Sequence, residues 1–413
     1  MVTAARRPLP QWAPAALMLG AMALAFVVVN SPLGSAYAWI HHAPIGFHLG
    51  PATVSKPVIS WINEGLMTLF FLLVGIEIKR EIMDGHLASP RRVALPALAA
   101  LGGMATPAIV FVIFNAGDPT ALRGWAIPTA TDIVLALGLL SLIGSRVPRS
   151  LWVFLAAVAI FDDIGAIIII AAFYTGNLSS ASLAVAGVCL TALVAMNRFG
   201  IQRLAPYATI GFALWLAVLE SGVHATLAGI AVAFTLPTRT CTEREHGILE
   251  TAEHIIRPWV ERLVIPLFAF FNAGISFDGL SASTLARPLA LGTMLGLFLG
   301  KQFGILAATW LSVRAGVGAL PDGARWRDVY GVAVLAGAGF TMSLFIAQLA
   351  FADTPLAADA RASILVGSLI SATAGLLLLT VFCRDKARHS AHPQTASLRT
   401  VRERSPTHEV GGR

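Results

Sequence analysis

The stretch LWVFLAAVAIFDDIGAIIIIAAFYT, Leu151 to Thr175, decides how this chain is read. It is long enough to cross a bilayer as a helix. Its only charged residues are Asp162 and Asp163, side by side near the middle. One carboxylate at mid-membrane costs roughly 2.5–3.5 kcal/mol on insertion scales. Two adjacent ones also repel each other. A helix that only had to span the membrane would carry neither, so the pair reads as a site for a cation or a proton.

The rest of the chain supplies the membrane context. Of its 413 residues, 56% are hydrophobic and 12% charged, against about 25% charged in soluble proteins. Twelve apolar stretches approach or exceed a crossing length: 12–30, 58–78, 93–114, 124–143, 150–174, 181–197, 204–219, 221–236, 256–273, 288–312, 328–350 and 362–383. The expected fold is therefore an all-α polytopic membrane protein of about twelve helices. Residues 1–385 form one transmembrane domain, and 386–413 form a polar, disordered tail. The first stretch has the flanks of a signal peptide, but its apolar core, Trp12 to Val29, exceeds the usual length and reads as a retained span.

The net charge of +7 does not indicate nucleic acid, because of where it lies. With the N-terminus inside, alternate loops on one side hold 24 of the 29 Lys and Arg. The other side holds Lys56, Arg123, Arg287 and Arg361, and Lys301 lies within a span. This positive-inside bias places both termini in the cytoplasm. Cys189, Cys241 and Cys383 are scattered and suggest neither a disulfide framework nor a metal knuckle. No cofactor is expected.

Two spans look broken. Pro128-Thr129-Ala130-Thr131-Asp132 interrupts the fourth, and Gly337-Ala338-Gly339 interrupts the eleventh. Proline removes a helical hydrogen bond, and glycine weakens a helix. Freed backbone in a membrane survives only where it is buried in protein or lines a cavity. By parity the two broken spans run in opposite directions, as an inverted repeat requires, with the binding site between them. If they cross at their breaks, two helix N-ends meet and two C-ends meet. Asp132 could compensate the first pair of ends and Lys301 the second. Thr129 and Thr131 can hydrogen-bond the unwound backbone.

Asp132, Asp162, Asp163 and Lys301 are the charges well inside spans, and they are expected to meet in the bundle interior. Successive helical residues lie about 100° apart, so Asp162 and Asp163 cannot share a face. One can face a water-filled funnel while the other turns to a neighbouring helix, where Lys301 is the natural partner. Their titrations will be coupled. Elsewhere, Ile45 to Lys56 alternates apolar and polar residues around Gly50-Pro51 and reads as a β-hairpin. His41, His42 and His48 read as ordinary polar residues of that outer loop.

These residues together resemble the NhaA-type sodium/proton antiporters. The resemblance rests on Phe70 to Glu81 (FFLLVGIEIKRE), Pro128 to Ile133 (PTATDI) and Phe161 to Ala166 (FDDIGA). It rests equally on Gly222 to Gly229 (GVHATLAG), Pro266 to Gly274 (PLFAFFNAG) and Gly339 to Ser343 (GFTMS). The resemblance implies twelve spans, with segments three to five and ten to twelve as inverted repeats. It implies Asp163 as the main sodium ligand and proton carrier, with Asp162 beside it and able to pair with Lys301. It implies electrogenic export of sodium or lithium from a bacterial cell, across the inner membrane, for more than one proton. The hairpin resembles the family's homodimer contact. Glu77, Arg80, Glu81, His224, Glu253 and His254 match positions implicated in activation at alkaline pH. The chain departs from the family pattern in its inner loop, which carries Glu250 where a basic residue is common. Ala336 and Ala338 also stand where Cys and Ile are usual.

Other classes fit less well. A membrane aspartyl protease needs a glycine-x-glycine-aspartate pattern, absent around the three aspartates. A prenyltransferase needs a DDxxD cluster for magnesium and diphosphate, but Asp162-Asp163 is followed by Ile164-Gly165-Ala166. A passive channel would build acidic rings in a symmetric pore. A transporter, not an enzyme, is the expectation.

Overall fold

A computed structural model describes residues 10–49, 52–83, 90–176, 178–238, 247–277, 281–352 and 354–391. Gly50 and Pro51 of the hairpin, residues 243–246 of the inner loop, and the tail from 392 onward lie outside them.

The chain is helical along nearly all of this length. Helices α1 (Ala13–Val29) and α2 (Gly34–His42) meet at a 112° bend. Strands β1 (Pro44–Leu49) and β2 (Ala52–Pro57) follow, then α3 (Val58–Met83), α4 (Pro90–Asn115) and the short α5 (Pro119–Leu122). Next come α6 (Ile133–Ile143), α7 (Arg149–Phe173), α8 (Ser180–Arg198), α9 (Leu204–Leu219) and α10 (Thr226–Thr235). The last are α11 (Ile248–Trp259), α12 (Ile265–Asn272), α13 (Pro288–Arg314), α14 (Trp326–Leu335), α15 (Phe340–Phe351) and α16 (Leu356–Ala391).

Seven of the described helices are long and apolar enough to cross a membrane, or up to nine if each bent pair counts as one span. The protein is thus a polytopic membrane protein whose spans are all helical. Each of the twelve apolar stretches overlaps at least one described helix. Two, α9 and α10, are short for a crossing.

Some boundaries differ from expectation. The outer loop contains α2 before its hairpin. The ninth segment is helical from Ile248, eight residues earlier than the apolar run begins. There, Ile248, Leu249, Ala252 and Glu253 form one buried face among charged neighbours. The signal is amphipathic, which a search for unbroken apolar runs passes over. The last helix crosses the boundary expected at 385 and continues to Ala391.

The expected hairpin forms, antiparallel with Ile45 opposite Lys56. It is tied to the bundle at its root. Lys56 Nζ pairs with Glu64 Oε2 at 2.6 Å, and Trp61 Nε1 donates to the Ile45 carbonyl at 2.9 Å.

Small residues bring the central helices together. Where α4 crosses α13, Gly102 and Gly304 put backbone against backbone, and a Cβ at either would overlap the other's carbonyl. Without a hydrophobic drive between helices in lipid, such close packing is what holds them. The segment Gly296–Gly300 of α13 is a π-helical turn directly before Lys301. Such a turn inserts one residue into the helix and so rotates the later side chains about the axis.

Candidate functional site

Both breaks occur where the sequence places them. Between Ile127–Thr129, a 3-10 turn, and α6, the backbone at Ala130 and Asp132 is extended. Between α14 and α15 the chain bends by 44° across Ala336 to Gly339. Gly337 must lack a side chain, because a Cβ would strike the Leu297 carbonyl and Ser371. Phe340 is held at φ +26°, a conformation L-residues rarely adopt. Its N–H donates to Ser368 Oγ at 3.1 Å, and its ring is buried. Strain of this kind costs on the order of 1–3 kcal/mol and persists only where surroundings enforce it.

The two breaks touch. Asp132 N–H donates to the Ala338 carbonyl at 2.8 Å, and Ser343 Oγ donates to the Ile127 carbonyl at 2.8 Å. Asp132 joins the two N-ends. Its Oδ1 caps α6 by accepting from Leu135 N–H at 2.9 Å. Its Oδ2 accepts from Thr341 N–H at 3.1 Å, at the first turn of α15. Thr341 Oγ1 donates to the same oxygen. A carboxylate offsets positive helix ends in this way.

At the C-end a threonine hydroxyl meets the backbone. Thr131 Oγ1 lies 2.8 Å from the Ala336 carbonyl and 2.6 Å from Asp162 Oδ2, and its single proton serves one of them at a time. Lys301 makes no hydrogen bond to that end. Its Nζ instead donates to Asp162 Oδ2 at 2.5 Å. Both side chains of this ion pair are fully buried.

Asp162 and Asp163 divide as their 100° separation demands. Asp162 faces α13 and holds Thr131 and Lys301. Asp163 is 2% exposed, and its Oδ1 has no hydrogen-bond partner among the described residues. Asp162 Oδ1 is also unpartnered. Buried polar atoms are nearly always paired, so these two orphan oxygens on consecutive residues are exceptions among the described residues.

An open cavity of about 850 Å³ lies beside α7 and its lining ends at Ile160. It is lined by Leu137, Ser141 and Val147 on one wall and by Trp152, Ala156 and Ile160 of α7 on the other. Gln11, Glu81 and Arg149 stand around it as well. Ile160 precedes Asp163 by three residues, so Asp163 continues the cavity-lining face of α7.

The expected pH-response residues do not form one group. Glu77, Arg80 and Glu253 meet around Arg257, which the sequence reading missed. Arg257 Nη2 lies 2.6 Å from both Glu77 Oε1 and Glu253 Oε1, and Arg80 Nη1 lies 2.7 Å from Glu253 Oε2. Glu261 joins through Arg257 Nη1 at 3.3 Å. The i,i+4 spacing of Glu253, Arg257 and Glu261 was the available signal. His254 is on the exposed face of α11, and Glu81 borders the cavity. His224 is separate, its ring edge-on to Phe345 at 5.7 Å. Thr341 was also missed, since nothing in its spacing ties it to a residue 209 positions away.

The sequence matches the family described as Na+/H+ antiporter 1 over residues 10–379. Among similar proteins is the Na(+)/H(+) antiporter NhaA of Rhodospirillum rubrum, 51% identical over 379 residues, which covers 90% of this chain and 95% of that protein. The Na(+)/H(+) antiporter NhaA 2 of Saccharophagus degradans is 49% identical over 366 residues, covering 88% and 96%. The Na(+)/H(+) antiporter NhaA 1 of Pseudomonas putida is 49% identical over 370 residues, covering 89% and 93%. With crossed helix breaks, a buried aspartate pair and this likeness along nearly its whole length, the chain belongs to the Na+/H+ antiporter 1 family.

Proposed function

We propose that the protein exchanges sodium for protons across a bacterial inner membrane, with both termini in the cytoplasm and the chain crossing twelve times. Asp163 is the shared ligand. The observation that carries this reading is its buried carboxylate, left without a partner on the face that continues the cavity wall. A sodium or lithium ion needs oxygen ligands bearing negative charge. A protonated Asp163 offers neither the charge nor the free lone pairs. The carrier with sodium bound has therefore shed its proton, and the protonated carrier cannot hold sodium. Coupling needs no further gate.

Asp162 and Lys301 supply the second proton. When the ion pair parts, the carboxylate can take up a proton or the ammonium can lose one. Either route moves more positive charge inward than sodium carries outward, so each cycle is electrogenic. The ion-pair network of Glu77, Arg80, Glu253 and Arg257 sets the pH response, and the hairpin at 45–56 pairs two copies of the chain.

Two measurements test this. Everted vesicles from antiporter-deficient cells carrying the protein should lose part of their pH gradient when sodium is added. A complete lack of response between about pH 6.5 and 9, a window that brackets shifted carboxylates, would remove the assignment. Charge movement on a supported membrane tests the shared site. Protons and sodium compete, so apparent sodium affinity should fall as pH drops while the maximal rate changes less. An affinity independent of pH, or a cycle without net charge, would rule the shared site out.

A further inference from the structure

Helices α13 and α14 leave a surface groove of about 520 Å³, lined by Phe303, Ala307, Trp310, Trp326, Arg327 and Tyr330 among others. Phe303 is 61% exposed and Trp310 48%, on a helix that crosses the bilayer. Seven residues separate them, about 10 Å along the helix axis. The groove thus runs from the polar end of the span well into the hydrocarbon. Trp310 and Trp326 stand near that end, as aromatic side chains do at the interface.

Two arginines close the same end. The Arg314 guanidinium lies over the Trp310 ring at 5.4 Å, and Arg327 is part of the groove wall. Neither forms an ion pair among the described residues. Asp328, next to Arg327 in sequence, spends a carboxylate oxygen on the Arg325 N–H at 2.9 Å.

We propose that this groove binds an anionic phospholipid, with an acyl chain along Phe303, Ala307 and Tyr330 and the phosphate between Arg314 and Arg327. The apolar floor suits a chain that lipid would supply at this depth. Two unpaired guanidinium groups at its mouth suit a phosphate, which accepts bidentate hydrogen bonds. A second copy of the protein fits poorly, because the basic loops share one side and would bring like charge to these arginines.

The test uses the full-length purified protein and native mass spectrometry, with phosphatidylglycerol or phosphatidylcholine of identical chains. The parent should retain phosphatidylglycerol roughly tenfold or more in preference, given the order of interaction of two arginines with an anionic headgroup. Arg314→Ala/Arg327→Ala should lose the preference, and both positions are exposed enough to leave folding intact. Ala307→Trp keeps the arginines and fills the groove, so it should lower retention of both lipids. Equal binding of the two lipids by the parent would overturn the proposal. So would a preference that survives both variants, or cross-linking of this face to a second copy. None of these readouts depends on ion transport.

Discussion

Asp163→Asn is expected to abolish sodium–proton exchange while leaving the protein folded in the membrane. The amide has the volume of the carboxyl group but carries neither the charge proposed to bind sodium nor the proton proposed to be exchanged. Folding should survive because Asp163 Oδ1 makes no hydrogen bond that the substitution would break. Removing one of two adjacent negative charges also relieves repulsion, which offsets the cost of burying the amide N–H groups. Stability in detergent should therefore stay close to that of the parent or rise. Asp162→Asn should behave differently, because it leaves the buried Lys301 ammonium facing a neutral amide oxygen in place of a carboxylate. The measurement is sodium-induced proton release from purified protein, followed alongside thermal unfolding. Proton release of parental size from Asp163→Asn would show that the central ligand is another group.

Much of this arrangement is legible in the amino-acid order alone. Charge in an apolar run is conspicuous because its cost is high, so Asp132, Asp162, Asp163 and Lys301 stand out one by one. Pro128 and the pair Gly337 and Gly339 announce their breaks by backbone chemistry alone. The angle between consecutive helical residues is enough to assign different surroundings to the two aspartates. The less legible features depend on contacts between residues distant in sequence. Thr341 reaches Asp132 only because two helices cross, and a threonine in a membrane helix is usually satisfied within its own turn. Arg257 looks like a charged helix end, whereas it joins α3 to α11 through Glu77 and Glu253. The short π-helical turn before Lys301 has no compositional signal beyond two glycines. The start of α11 is masked by its amphipathic character, which lowers the apolar content that marks a span.

Lys301→Met should carry the largest cost in stability of any single change at the site. Methionine retains most of the stem's volume, which packs beside Gly103, so the change isolates the loss of charge. It leaves Asp162 buried with Thr131 as its remaining donor. Breaking a buried ion pair from one side costs about 3–5 kcal/mol, because the other charge stays uncompensated. The carboxylate can escape part of that cost by taking up a proton. Destabilisation should then be greatest at high pH, where Asp162 would be ionised, and should shrink as pH falls. The double variant Lys301→Met/Asp162→Asn removes both charges and should recover most of the loss, since contacting residues are not additive. Thermal unfolding of the four proteins across a pH series, with transport measured in parallel, separates the two roles open to the lysine. A fall in stability that the double variant reverses marks Lys301 as the group that positions Asp162 and so leaves Asp163 to face the cavity. Unchanged stability with transport lost would mean that the lysine's own proton is one of those exchanged, and that the pair with Asp162 does not hold α7 against α13.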